Sequence, residues 1–142
     1  MLQIYKKSFR MEKKIKRERN SSTKTEIILL LNEKKTALTH KDFQDYFEKS
    51  IDRVTIYRAL DRLVEEGKLH RIANLEGGIQ YALCNTCSHE THVHNHDHIH
   101  FSCRICKKTI CLENNIPNLN LPKDYIIEEK QILISGICPN CK

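Results

Sequence analysis

The sequence predicts an α+β protein, with an N-terminal winged helix-turn-helix followed by a small domain built on a three-stranded antiparallel sheet. Three observations lead there. Three stretches of helical periodicity precede two short apolar runs separated by Gly77-Gly78, which is the order of a winged helix. After Leu83 the composition turns abruptly to histidine and cysteine. Beyond that point short alternating segments read as strands, bracketed by Cys103-x-x-Cys106 and Cys138-x-x-Cys141.

The bulk numbers are compatible with this division. A chain of 142 residues suits one ordinary domain or two small ones. Apolar residues make up 39%, aromatics 6%, and there is no Trp, so the cores are thin and a metal or partner chain is a natural source of extra stability. The net charge of +6 is concentrated at one end. Lys6, Lys7, Arg10, Lys13, Lys14, Lys16, Arg17 and Arg19 outweigh Glu12 and Glu18, and the remaining chain is neutral. A basic arm ahead of a neutral body suggests a polyanion, nucleic acid first, although a solvated tail has the same composition. No apolar run approaches the ~20 residues of a membrane span, and no signal-peptide core opens the chain. A cytoplasmic protein without a membrane partner is expected. Seven cysteines, an odd number, then favour thiolate–metal chemistry over a disulfide framework.

The first helix is expected from Ser21–Thr23, with Thr23-Lys24-Thr25-Glu26 as a capping box before Ile27-Ile28-Leu29-Leu30-Leu31. Thr39 is the N-cap of a second helix, His40 to about Glu48, with Phe43, Tyr46 and Phe47 on one side and His40 as a surface residue at its start. Asp52 caps the third helix and Gly67 ends it. Ile56, Ala59, Leu60 and Leu63 share one arc, while Thr55, Arg58 and Arg62 face away. A hairpin follows, Lys68–Ile72 and Ile79–Leu83. In a winged helix the third helix enters the major groove and this hairpin is the wing. Beyond the His-rich run, strands are expected at His98–Ser102, Thr109–Leu112 and Tyr125–Ile137, with Ile127, Ile132 and Ile134 available for a buried face. Asn114–Pro122 reads as loop.

Cys103, Cys106, Cys138 and Cys141 form two knuckles, each presenting two thiolates, and together make a closed tetrahedral structural zinc site. A redox dithiol would want a βαβ setting, which the sequence does not offer here. His92, His94, His96, His98 and His100 stand at every second position, so in a strand they share a face. His98 and His100 can both address one ion, with Cys111 across the hairpin from His100. Cys84 or Cys87, where the wing hands over to the second half, would complete a second, exchangeable site and tie the halves together. Mixed nitrogen and sulfur donors favour zinc over magnesium or manganese.

Four segments in this order resemble the ferric uptake regulator family: Asp52-Arg53-Val54-Thr55-Ile56-Tyr57-Arg58-Ala59-Leu60, Gly77-Gly78-Ile79-Gln80-Tyr81-Ala82-Leu83, His98-Ile99-His100-Phe101-Ser102-Cys103-Arg104-Ile105-Cys106, and Cys138-x-x-Cys141. The resemblance covers roughly residues 21–142 and implies a dimeric, metal-dependent transcription repressor. Its layout would be a basic arm (1–20), a winged-helix DNA-binding domain (21–84), a His-rich hinge (85–97) and an α/β dimerisation and metal-binding domain (98–142). Thr55, Tyr57 and Arg58 match the family's recognition-helix signature, with Arg53 beside them, and Lys24 falls near its phosphate-contacting basic residue. Cys103, Cys106, Cys138 and Cys141 match the structural zinc cysteines. His98 and His100 match the His-x-His of the regulatory site.

The departures from that pattern narrow the reading. Cys111 stands where the family has a regulatory acidic residue, and Ala82 where another is expected. Ala37 and Lys130 replace further histidines, and a Pro-containing loop replaces the long helix of the second domain. Thiolate in place of carboxylate resembles the zinc uptake regulator branch, with Cys84 like its post-wing cysteine. The resemblance thus implies a homodimer on palindromic double-stranded DNA, carrying a structural zinc and a second regulatory divalent ion, zinc by preference. An iron- or peroxide-responsive relative and a metal-storage or chaperone protein are the alternatives. The zinc-enzyme motifs His-Glu-x-x-His and His-x-Glu with Pro-Cys-x-x-Cys are missing, so no enzyme is expected.

Overall fold

Ile27, Leu30 and Leu31 recur at helical spacing, and helix α1 (22–34) buries all three. The computed structural model describes residues 22–83, 98–112, 117–128 and 130–142. Thr23 lies inside α1 and is buried, so the capping box expected at Thr23–Glu26 does not open this helix. Strand β1 (Leu38–Thr39) leads into α2 (His40–Phe47), where the Thr39 hydroxyl and the Asp42 carboxylate cap each other's backbone N–H. Helix α3 (Arg53–Glu65) starts at the Asp52 cap and buries Ile56, Ala59, Leu60 and Leu63. These side chains, with Phe43 and Phe47, close a core against α1.

Strands β2 (Leu69–Ala73) and β3 (Ile79–Leu83) form the hairpin, and β1 pairs on the far side of β3 in an all-antiparallel sheet. The register decides what each face does. Leu69 pairs with Leu83 and Arg71 with Tyr81, so Leu69, Leu83 and Tyr81 share the face that seals the helical core. His70 pairs with Ala82 and Ile72 with Gln80, which puts these four on the opposite face. There Ile72 and Ala82 join Ala37 in a second apolar cluster, against which Cys111 packs. The hairpin therefore packs against an apolar cluster on each side, with Arg71, Ala73 and Ile79 left exposed. An ion pair from Arg71 Nη2 to Asp61 Oδ1 (2.6 Å) ties it to α3.

The second sheet comprises β4 (Ile99–Cys103), β5 (Thr109–Leu112) and β6 (Ile132–Gly136), in the order β5-β4-β6. Its β4–β5 pair is the expected antiparallel hairpin, but β6 runs parallel to β4, so the sheet is mixed and not antiparallel throughout. Ile99 neighbours both Leu112 and Ile132, so β5 ends and β6 begins beside the start of β4. The cysteines explain that choice. Cys103 ends β4 and Cys138 follows β6, and only a parallel β6 brings both to one end of the sheet. The third strand is also shorter than the expected Tyr125–Ile137. Tyr125, Ile126 and Ile127 are 68%, 91% and 54% exposed and precede the ladder, so nothing holds them as strand. Ile134 is 45% exposed, so the face expected to be buried by Ile127, Ile132 and Ile134 is largely uncovered in a single chain.

Three hydrogen bonds tie the two halves together away from the side-chain cluster. The Thr36 hydroxyl and the Ala37 N–H both donate to the Thr109 carbonyl, each at 2.8 Å. The Gln131 amide reaches the Ala73 carbonyl at 3.3 Å.

Candidate metal centres and nucleic-acid face

Alternation along β4 turns His98, His100 and Ser102 to one face, and the His100–Cys111 register adds Cys111 beside them. That face looks onto the side of the hairpin carrying His70. The four side chains converge: the Nε2 atoms of His70 and His100 are 3.0 Å apart, those of His70 and His98 3.4 Å, and Cys111 Sγ is 3.6 Å from His70 Nε2. All four donor atoms lie within 4.8 Å of one another. His70, His98 and His100 are buried and Cys111 is half-buried.

The spacing can be tested against a metal. With Zn–N near ~2.05 Å and Zn–S near ~2.3 Å, a tetrahedral edge of about 1.63 bond lengths gives ~3.3 Å for N···N, ~3.6 Å for N···S and ~3.8 Å for S···S. The observed 3.4 and 3.6 Å match the first two values, and the 3.0 Å between His70 and His100 lies about 0.3 Å inside the first. Three imidazoles and a thiol, without a carboxylate among them, form a donor set suited to zinc. The residues fit a tetrahedral ion.

The second group is Cys103, Cys106, Cys138 and Cys141, with donor atoms again within 4.8 Å of one another. Its backbone forms two knuckles. The Lys107 N–H donates to the Cys103 carbonyl at 2.9 Å, and Lys107 takes a left-handed φ of 63° so that the chain can turn back to the Thr109 strand. The second knuckle is the 3-10 turn Pro139–Cys141, closed by Cys141 N–H to the Cys138 carbonyl at 3.0 Å. Cys106 Sγ and Cys138 Sγ are 3.8 Å apart, the S···S edge given above.

The thiols here are strongly perturbed. Backbone N–H groups of Cys138 and Cys106 hold Cys103 down to about 6, and hydrogen bonding with Cys138, together with burial, pushes Cys141 up to about 12. One thiol gives up its proton readily and another keeps it. A cation at the centre is what allows all four to be thiolates.

Of the residues expected in the exchangeable site, the fold brings His98, His100 and Cys111 together. Cys84 and Cys87 lie outside the described residues, as do the basic arm, the hinge and His89, His92, His94 and His96. His70 is the member that sequence reasoning missed. Its signal was parity: His70 is two residues from buried Ile72 and so shares its face, a histidine among apolar side chains.

Helix α3 presents Arg53, Tyr57 and Arg58 to solvent beside Val54, which is 55% exposed. Thr55 is half-buried, and its hydroxyl serves the cap, donating to Asp52 Oδ2 at 2.6 Å. Lys24, expected near phosphate, forms an ion pair with Glu66 at the far end of α3.

Two closely spaced donor clusters able to hold a metal ion, one of them joining the hairpin to the second sheet, stand on a fold with three helices packed on a sheet. No protein-family model and no curated relative matches the chain. Solved structures do. A zinc uptake regulator complexed with zinc and DNA is 20% identical, covers 92% of this chain and 90% of its own, and superimposes with a TM-score of 0.61. The Campylobacter jejuni peroxide stress regulator is 17% identical over 94% of this chain and 98% of its own, with a TM-score of 0.60. The Helicobacter pylori ferric uptake regulator, described with three functional metal binding sites, is 17% identical over 93% and 89%, with a TM-score of 0.54. The fold is that of the ferric uptake regulator family.

Proposed function

We propose that this protein is a zinc-responsive, DNA-binding transcription repressor of the ferric uptake regulator family, acting as a homodimer on a palindromic operator. The observation that carries the proposal is the convergence of His70, His98, His100 and Cys111. One member comes from the hairpin, two from the second sheet and one from the residue just before β4, so occupancy of the site is coupled to how the two halves sit. A bound zinc would supply the charge that draws three imidazoles and a thiolate to one point. His70 then acts as the tie between a winged-helix unit (21–84) and a dimerisation unit (98–142), with 85–97 as hinge.

In this reading Cys103, Cys106, Cys138 and Cys141 hold a structural zinc that pins the end of β6 to β4. Arg53, Tyr57 and Arg58 face the major groove, where Arg can read guanine and Tyr can meet a thymine methyl. Thr55 contributes its methyl while its hydroxyl keeps the cap, and the arm adds phosphate contacts with strong salt dependence. Lys24 reaches phosphate if it leaves Glu66. Cys84 and Cys87 are candidates to exchange into the regulatory site. The half-exposed apolar face around Ile134 supports dimerisation through the second sheet. A dimer would place two α3 helices about one DNA turn apart. The resemblance in fold to a zinc uptake regulator solved on DNA supports the same assignment.

The test is DNA binding followed by fluorescence anisotropy on palindromic, AT-rich duplexes, with zinc titrated in and then chelated out. Binding that rises with zinc and reverses on chelation is expected. Binding that is indifferent to zinc removes the switch, and binding restored by ferrous iron but not by zinc moves the protein to the iron-responsive alternative.

A further inference from the structure

His40 was expected to be an ordinary surface residue, but the fold places it against the face of α3 that points outward. It is the first residue of α2, where the reciprocal Thr39–Asp42 cap fixes the backbone from which it projects. Its ring lies on the Tyr57 ring with centroids 3.5 Å apart and planes inclined by 18°. The Arg53 guanidinium sits 5.5 Å from the same Tyr57 ring and its Nη2 is 3.5 Å from the Tyr57 hydroxyl. Tyr57 is thus held by His40 from α2 and by Arg53 from one turn earlier in α3, yet remains 37% exposed. The His40 Nε2 is buried with no hydrogen-bond partner, so the ring is placed for its stacking face and not for a polar contact through that nitrogen.

We propose that His40 is a positioning residue for DNA reading: it fixes the Tyr57 side chain before the duplex arrives, so that α3 presents one preset tyrosine edge to a base pair. This rests on the DNA-binding reading above. A tyrosine on an exposed helix face otherwise samples several rotamers, and binding then has to order it. Stacking on a ring anchored in another helix does that ordering in the free protein. Burial lowers the His40 pKa, with the Arg53 charge acting in the same direction, while hydrogen bonds to the Gln44 side chain and the Arg53 backbone oppose them. The ring is therefore neutral at neutral pH and adds no phosphate-attracting charge. Its contribution should be to sequence discrimination, leaving general affinity unchanged.

The experiment is a double-mutant cycle in the full-length, zinc-loaded protein, using duplexes it enriches from a randomised pool. His40→Ala is expected to weaken binding to the enriched sequence about 3-fold per half-site, about 10-fold for a dimer, with non-specific binding unchanged. His40→Phe, which keeps a stacking ring, should restore binding. In a Tyr57→Ala background His40→Ala should cost nothing further. An equal loss in that background, or wild-type binding by His40→Ala, overturns the assignment. If His40→Ala is too poorly folded to assay, His40→Gln replaces it in the cycle with the same expectations. A zinc-loaded wild type that enriches no sequence overturns the DNA-binding reading itself and the inference with it.

Discussion

Replacing His70 by Ala isolates the proposed tie between the two halves. Among the described residues His70 is the one member of the cluster contributed by the hairpin, whereas His100 and Cys111 belong to the second sheet and His98 immediately precedes its strand β4. Without His70 those three still address one point, so zinc can bind, but its binding no longer depends on where the hairpin sits. Moving a two-state protein from 1:99 to 99:1 takes about 5.5 kcal/mol of differential affinity, and the apparent affinity for DNA then rises about 100-fold with the competent fraction. In His70→Ala that differential falls towards zero, and the zinc-induced gain should shrink from about 100-fold to less than about 3-fold. The assay is anisotropy on a fixed duplex at buffered free zinc, with circular dichroism to confirm that the helices persist. A His70→Ala protein whose zinc-induced gain stays within about twofold of wild type would refute the reasoning, because the tie would then lie elsewhere.

Other perturbations separate the remaining parts. Cys103→Ser should release the structural zinc and lower the melting temperature steeply, and a zinc-replete, stably folded variant would contradict the four-cysteine assignment. Asp52→Ala should fray the start of α3, seen as lost helicity. The Thr55 hydroxyl and N–H hold the Asp52 carboxyl below its usual range, so its contribution is complete above the ordinary carboxylate value and is lost as pH falls through the lowered one. The acid limb of the unfolding curve should therefore shift in the variant. Thr36→Val removes one of the two hydrogen bonds on the Thr109 carbonyl and should cost about 1 kcal/mol of stability while leaving two zincs per chain. Ile134→Glu should dissociate the dimer in sedimentation velocity without unfolding the chain, and a persisting dimer would move the interface off this face.

Much of the fold was legible locally. The Thr39 and Asp52 caps, the α3 core positions and the Gly77-Gly78 hairpin are decided by neighbours in sequence, and the fold has them in place. The His98-x-His100 face and its pairing with Cys111 follow from strand parity across a short turn. The Thr23 capping box does not hold because Ser22 is already helical and Thr23 is buried within α1. What failed depended on distant parts of the chain. His70 shares the face of buried Ile72, and parity marks it as facing inward, but nothing local says that a second sheet covers that face and brings His98, His100 and Cys111 to it. The direction of β6 is contained in the cysteines, since Cys103 ends β4, Cys138 follows β6 and the two must meet, although short connections between strands ordinarily favour antiparallel neighbours. The shortening of the last strand reflects missing partners for Tyr125–Ile127, which no local pattern reveals.

The central claim is that the His70–His98–His100–Cys111 cluster is an exchangeable zinc site that controls DNA binding, separate from the four-cysteine site. Stepwise chelation tests it most directly, with zinc per chain and operator binding measured on the same samples. The account predicts two zincs per chain at the outset, and DNA binding that disappears with the first zinc removed while the second stays bound and the fold persists. DNA binding that survives removal of the first zinc and disappears only as the protein unfolds would contradict it.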